Sequence, residues 1–130
     1  DDNPRNEDPK KIRKDILKYS LIINGLPAAY HWTKLLSDNK GKFIVSGWFL
    51  SGNFPDKLKI ANDILNFQYK SVKKTYNSLT WIIAMRDENK FVERLNKKFG
   101  FKDASNLSII RASQIFFKSK DGFKVMEMKL

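Results

Sequence analysis

Histidine and cysteine, two side chains that often perform acid–base and nucleophilic chemistry, are scarce in this sequence. The 130 residues include one histidine, His31, and no cysteine. Thiolate nucleophiles, disulfides and cysteine-ligated zinc are therefore excluded, and we expect neither a metal site nor a Ser–His–Asp triad. A histidine titrates near neutral pH and suits a general base, and Ser46 is the hydroxyl residue within the apolar run 43–49. His31 and Ser46 are thus the candidates for catalysis, although Tyr30 and Trp32 beside His31 are more typical of a packed strand.

The strong positive charge indicates which partners to consider. The length suits one domain, which we place at 10–130 after a flexible polar arm at 1–9. The formal net charge is +11, which favours nucleic acid, the phosphates of coenzyme A or an acidic protein surface. A solvated, Lys-rich face with no specific partner is an equally good interpretation. No apolar run approaches the ~20 residues that span a bilayer, and no signal peptide is visible, so we expect no membrane partner and no secretion.

The N-terminal half of the domain is predicted to hold one helix and three strands. Asp8 before Pro9 is a helix-start signal, and we expect this helix to run to about Lys18. Strands are predicted at 19–23, 28–36 and 42–49. Asn24-Gly25 is a strong hairpin signal, and Gly47 inside the third strand indicates a bulge or a close approach to the backbone.

The C-terminal half is predicted to alternate helices and strands. Apolar periodicity predicts a long helix that opens at 53–56 and runs to about Tyr76, with a basic strip opposite its apolar face. The nearly all-apolar run 79–85 suits a strand buried on both faces. A second helix at 89–99 should end at Gly100, and a last hairpin is expected from 107–118 and 123–130. This order predicts an α+β domain with a mixed sheet.

The segment 89–101 carries a resemblance to a known family. It resembles the pattern N-x-x-A-x-x-L-Y-x-K-x-G-F of the GNAT superfamily of N-acetyltransferases. The identical positions are Asn89, Leu95, Lys98, Gly100 and Phe101. The resemblance implies a GNAT-like fold with a mixed, mostly antiparallel sheet, helices on both faces, and acetyl-CoA as the cofactor of any active form. The family's first strand has no clear counterpart in the sequence.

A closer resemblance is to small GNAT-like proteins of short-tailed bacteriophages. In those proteins a Lys-rich long helix ends in Tyr, a Trp-bearing strand follows, and then comes the helix with Gly. The matching segments here are 70–76, 79–81, 91–100 and the turn at Asp121-Gly122. This resemblance implies a virion or head-assembly role, and hence a location in the host cytoplasm or the virion.

Departures from the family's pattern fall where the chemistry would take place. The Gly-rich loop that binds the CoA pyrophosphate in the family is replaced by residues 50–56. There, Gly52 is the only glycine, Pro55 has no N–H to donate, and Asp56 would repel a phosphate. The Tyr that protonates the thiolate in the family is Asn96 here, and an amide cannot donate that proton. The family's residues that pack the core are kept, whereas those that bind the cofactor or transfer protons are replaced. This pattern favours a scaffold without activity.

Three functions are therefore carried as hypotheses. The first is a non-catalytic GNAT-like phage protein that needs no cofactor and acts through contacts with virion or host proteins. The second is an active CoA-dependent N-acyltransferase, in which the CoA contacts would come from Gly52, Lys57, Lys59 and Asn89. The third is a basic protein that binds nucleic acid through one strip of the long helix, formed by Lys59, Lys70, Lys73 and Lys74.

Overall fold

A six-stranded sheet organises the computed structural model, which describes residues 16–116 and 122–130. The strands are β1 (Ile16–Ile23), β2 (Leu26–Asp38), β3 (Gly41–Leu50), β4 (Thr80–Arg86), β5 (Lys102–Asp103) and β6 (Phe123–Lys129). The helices are α1 (Lys57–Thr75), α2 (Lys90–Lys98) and α3 (Asn106–Ile115). The strand order is β1-β2-β3-β4-β6-β5. Strands β3 and β4 are parallel, and all the other neighbouring strands pair antiparallel.

The two faces of the sheet are covered by different helices. Side chains alternate along β3, so that Ile44 packs with α1 and α2 while Phe43 and Val45 pack with α3. In β4, Trp81 lies on the first of these faces and Ile82 on the second, and both are fully buried. The predicted α+β fold, with a mostly antiparallel mixed sheet and helices on both faces, is confirmed.

Local signals explain most of the element boundaries. Asn24 and Gly25 both have positive φ and close the β1–β2 hairpin. Asp56 caps α1 by accepting a hydrogen bond from the backbone N–H of Lys59. Gly100, at φ 104°, follows the end of α2, as its position after the helix predicts.

The predicted helix up to Lys18 is wrong over its last residues. Ile16 to Lys18 belong to β1, where Ile16 pairs with Lys34 and Lys18 with Trp32. β2 is long enough to extend the antiparallel ladder this far, and ladder pairing overrides a weak local helix preference. The rest of that helix and the polar arm fall on residues 1–15, outside the described residues.

The predicted strand at 107–118 is also wrong, because residues 106–115 form α3. Ser105 caps this helix, since its Oγ accepts from the N–H of Ser108 at 3.3 Å. The buried carboxylate of Glu127 on β6 accepts from the N–H of Ser105 at 2.6 Å and fixes where the helix begins. Ala112 then packs on the sheet face that Phe43 presents. Residues 117 and 118 lie outside the described part of the chain.

In the described residues, no helix is long and apolar enough to cross a membrane.

Candidate functional site

A cleft opens in the middle of the sheet where β3 and β4 separate. The two strands pair from Phe43 with Thr80 as far as Ser46 with Ile83. Beyond that point β3 continues to Leu50 beside β2, and β4 continues to Arg86 beside β6. The gap between them is a cavity of about 510 Å³. Concave sites of this size between the carboxyl ends of strands are where α/β proteins commonly bind ligands.

The narrow end of the cleft is closed by a hydrogen-bonded serine. Ser46 is buried, its hydroxyl lies 2.6 Å from Thr33 Oγ1, and it accepts a hydrogen bond from Trp81 Nε1 at 2.8 Å. The structure therefore brings Ser46 to the cleft lining, with its hydroxyl engaged in bonds that join β2, β3 and β4.

The walls of the cleft are aromatic and apolar. Trp48 and Phe91 line the side that faces α1 and α2, and Trp32 and Phe116 line the side that faces α3. A Cβ atom on Gly47 would lie 2.7 Å from the Trp32 indole, so the glycine is there to let the indole lie against the β3 backbone. Of the two alternatives that the sequence left open for Gly47, the close approach is the one observed.

His31 lies outside the cleft, on the face of the sheet that α1 covers. It is fully buried, with ring centroids 5.0 Å from Tyr19 and 6.0 Å from Phe67. Neither ring nitrogen has a hydrogen-bond partner among the described residues. Burial lowers the pKa of His31 from 6.5 to about 4, because desolvation disfavours the charged ring. The histidine is therefore neutral at physiological pH and does not reach the cleft.

Asn96 occupies the cleft wall where the family resemblance places a proton donor. Its side chain is buried, and its Nδ2 lies 4.0 Å from Met85 Sδ on β4. A carboxamide of this kind positions neighbours but does not transfer a proton to a thiolate. Among the described residues that line the cleft there is no Tyr, Cys, His, Asp or Glu.

The α1 N-terminus, which would bind pyrophosphate in the family, is occupied by the chain's own carboxylate. Asp56 Oδ1 lies 3.4 Å from the N–H of Lys59, so the helix start already has an anionic partner. Gly52 lies in the exposed turn before α1 and does not line the cleft. Lys59 lines a separate shallow groove with Lys98.

Two of the four predicted CoA contacts do reach the cleft. Lys57, the first residue of α1, lines its wide end. Asn89 caps α2, accepting from the N–H of Val92 at 3.2 Å, and lines the same end. Arg86 at the end of β4 joins them, which the sequence reasoning missed. Its place directly after the apolar run 79–85 was the signal that could have identified it. Its exposed contact with Glu88, at 4.0 Å, contributes little.

An apolar patch that no described helix covers lies on the same side of the sheet as α3. Tyr30 is two residues from Trp32 on β2, so the two share a face. Tyr30 pairs with Phe49 across β2 and β3, their rings are 5.7 Å apart, and both are exposed. With Leu26 and Phe54 they line a groove of about 410 Å³. We call this groove the aromatic patch.

The four lysines proposed to bind nucleic acid are exposed on α1. Their spacing places them in one strip along the helix. Lys73 contacts Tyr69 on the same helix. Its Nζ lies 3.1 Å from Tyr69 Oη, to which it donates a hydrogen bond, and 5.0 Å from the centre of the ring.

Comparison with known proteins places the fold but not the activity. No protein-family model matches the sequence, and no curated protein sequence is similar to it. A GNAT-family acetyltransferase from Streptococcus pneumoniae superposes with a TM-score of 0.67 and 8% identity, over 89% of this chain and 67% of that one. The ribosomal-protein-S18-alanine N-acetyltransferase from Escherichia coli superposes with a TM-score of 0.63 and 17% identity, over 90% of this chain and 70% of that one. At these identities the likeness shows a shared GNAT fold.

Proposed function

We propose that this chain is a non-catalytic protein of the GNAT fold that acts by binding other proteins, as a structural or assembly component of a bacteriophage virion. The observation that carries the proposal is the buried Asn96, which stands in the cleft wall where transfer of an acyl group from CoA needs a proton donor. The described lining of the cleft holds no Tyr, Cys, His, Asp or Glu that could replace it.

The entry to α1 supports the loss of CoA binding. A CoA pyrophosphate needs free backbone N–H groups at a helix start, and glycines let it approach them. Here Asp56 already accepts from the first turn of α1, and Pro55 has no N–H. A phosphate placed there would meet the Asp56 carboxylate. The proposed role therefore requires no cofactor.

The aromatic patch supports a role in protein contacts. Leu26 and Phe49 are 62% and 56% exposed, and the exposed Tyr30 lies between them in the same groove. Contiguous exposed apolar surface of this kind marks interaction sites in soluble proteins. Aromatic side chains are also enriched at the centres of protein–protein interfaces.

The phage assignment rests on the sequence likeness described above. The features that carry this likeness in the sequence are the Lys-rich end of α1, the Trp-bearing β4 and the glycine that follows α2. The partner would be a virion or host protein, and the site of action the host cytoplasm or the assembled particle.

Two measurements test this proposal. The first is thermal unfolding with millimolar acetyl-CoA, for which we expect an unchanged Tm. The second is purification from phage-infected cells, for which we expect stable association with capsid or tail components. A raised Tm with acetyl-CoA, or a protein that never copurifies with either component, would count against the proposal.

An active N-acyltransferase is the second candidate, because Lys57 and Asn89 both line the cleft. In that case CoA phosphates would bind to Lys57 as a point charge rather than to a glycine loop. Acetylation of an added amine by the purified protein, lost in Lys57→Gln and kept in Lys59→Gln, would establish it.

Nucleic-acid binding is supported only by the exposed α1 strip. Such binding would give retention on DNA or RNA that falls steeply with salt, as phosphate contacts release counterions. Replacement of Lys70 and Lys74 by Gln would weaken it, whereas replacement of Lys57 would not.

A further inference from the structure

The aromatic patch begins where the cover provided by α3 ends. The ring of Phe116, the C-cap of α3, has its centroid 5.9 Å from that of Trp32, so the helix ends beside Trp32. Two residues earlier on the same face of β2 comes Tyr30, which pairs with Ser20 on β1 and with Phe49 on β3. These three residues form one row across three strands, and each of them is exposed.

The width of this row suits one α-helix. Neighbouring strands lie about 4.8 Å apart, so β1 and β3 are separated by about 10 Å. An α-helix with its side chains has about the same diameter, roughly 10 Å. The covered parts of both sheet faces are also covered by helices in this protein, by α1 and α2 on one face and by α3 on the other. A helix is therefore the element that the patch accommodates best.

The residues of this sequence outside the described ranges offer little apolar surface to cover the patch. In 1–15 and 117–121, the large apolar side chains are those of Ile12 and Phe117. The patch presents Leu26, Tyr30 and Phe49 as exposed side chains around a groove of about 410 Å³. Two side chains so far apart in the sequence are too few to bury that surface. This shortage favours an occupant from another protein.

The charge beside the patch indicates the chemistry of the occupant. Among the described residues that line the patch, none is charged. Lys18, which is exposed on β1, borders it, with its Nζ 5.8 Å from the centre of the Tyr30 ring. The chain also has a formal net charge of +11. A second copy would bring like charges together, whereas an acidic partner would be attracted to this surface.

We infer that the aromatic patch binds an amphipathic α-helix of a partner protein, which presents an apolar stripe to Tyr30 and Phe49 and acidic residues to Lys18. Apolar residues at positions i, i+3, i+4 and i+7 of such a helix form the stripe that packs on the row. This inference rests on the proposed protein-binding function and names the surface and the kind of partner.

Two synthetic helical peptides of about 14 residues test the inference. Both carry Leu and Phe at positions i, i+3, i+4 and i+7, and a hydrocarbon staple on the opposite face keeps these short peptides helical. The residues that flank the apolar stripe are Glu in one peptide and Lys in the other. Fluorescence anisotropy of each labelled peptide, titrated with the full chain, measures the Kd. We expect the Glu-flanked peptide to bind about tenfold or more tightly than the Lys-flanked one.

Two exposed leucines supply a matched pair of variants. Leu26 in the patch is 62% exposed, and Leu58 on α1, outside the patch, is 61% exposed. Leu26→Ser should weaken the Glu-flanked peptide by about tenfold, because the buried leucine contact is lost, whereas Leu58→Ser should leave the Kd unchanged. If Leu26→Ser fails to fold, Phe49→Ser takes its place. Lys18→Glu should remove the preference for Glu over Lys flanks, and Lys42→Glu, at an exposed position near the other end of β3, should keep it.

Four results would overturn the inference. Neither peptide binds, which is also expected if the undescribed residues cover the patch; the two leucine variants have equal effects; the two peptides bind equally; or a concentration-dependent dimer is lost in Leu26→Ser and kept in Leu58→Ser, which would make a second copy the occupant. Failure of the proposed function is recognised separately, by a rise in Tm with acetyl-CoA. A protein that shows no such rise, binds neither peptide and still copurifies with virion components would use another surface for its partner.

Discussion

Replacing His31 by Phe should remove one pH-dependent component of the stability of this protein. The His31 ring is fully buried, and neither ring nitrogen has a partner among the described residues. Phe keeps an aromatic ring against Tyr19 and Phe67 but cannot be protonated. The lowered pKa of about 4 for the folded protein, against 6.5 for the unfolded chain, determines the size and sign of the effect.

The unfolded chain binds a proton at His31 below about pH 6.5, whereas the folded protein binds it only near pH 4. Between these pH values the unfolded state holds more protons, so the free energy of unfolding falls as the pH decreases. At 1.36 kcal/mol per pKa unit, the loss from pH 7 to pH 4 is about 3 kcal/mol. Below pH 4 both states are protonated and His31 contributes no further change.

Urea unfolding followed by tryptophan fluorescence, to which Trp32, Trp48 and the buried Trp81 contribute, measures the effect at pH 7 and pH 4. The carboxylates titrate in both proteins, so the difference between wild type and His31→Phe isolates the histidine. We expect the wild type to lose about 3 kcal/mol more than the variant between these pH values. Tyr19→Phe, which keeps the ring against His31 and removes only a hydroxyl, should behave as wild type. An equal pH dependence in wild type and His31→Phe would refute the reasoning.

Two further substitutions test the packing around the cleft and the anchoring of α3. Gly47→Ala should lower the free energy of unfolding by about 1–3 kcal/mol, because the added Cβ would lie 2.7 Å from the Trp32 indole; chemical denaturation measures this, and an unchanged stability would contradict the close approach. Asp38→Asn should lower the Tm at pH 7 more than Asp63→Asn does, a matched change at an exposed position of α1. Asp38 accepts two hydrogen bonds, at 2.7 and 2.9 Å, from the largely buried Arg111, and these hold the pKa of Asp38 down to about 2. The stability that this ion pair adds is therefore present above the usual carboxyl pKa and is lost as the pH falls toward 2. The Tm values of the two variants should then become similar in acid. Equal Tm values at pH 7 would refute the anchoring role.

The parts of the fold that could be predicted from the sequence are those with local signals. Asn24-Gly25 determined a hairpin, the periodicity of α1 determined a long helix, and Gly100 marked the end of α2. α3 was missed because the spacing of the apolar residues within 107–116 suits a strand or a helix equally well. The helix is selected by the Ser105 cap and by the Glu127 carboxylate on a distant strand.

The candidate site was predictable only in part, for a similar reason. The loss of the phosphate-binding loop and of the proton donor at Asn96 can be read from residue types at matched positions. The cleft cannot be predicted from residue types, because it depends on where the β3–β4 ladder ends. That point follows from packing across the whole sheet. Arg86 and Trp32 become part of the site only through that separation of strands.

Thermal unfolding with acetyl-CoA is the measurement that tests the central claim most directly. The claim is that Asn96 and the Asp56 cap leave the GNAT fold without CoA chemistry. A ligand at about 100 times its Kd adds about 2.7 kcal/mol to the free energy of unfolding, which would raise the Tm of a domain of this size by at least about 5 °C. We predict an unchanged Tm at millimolar acetyl-CoA. A rise of that size, lost in Lys57→Gln and kept in Lys59→Gln, would contradict the claim and return the cleft to an acyltransferase role.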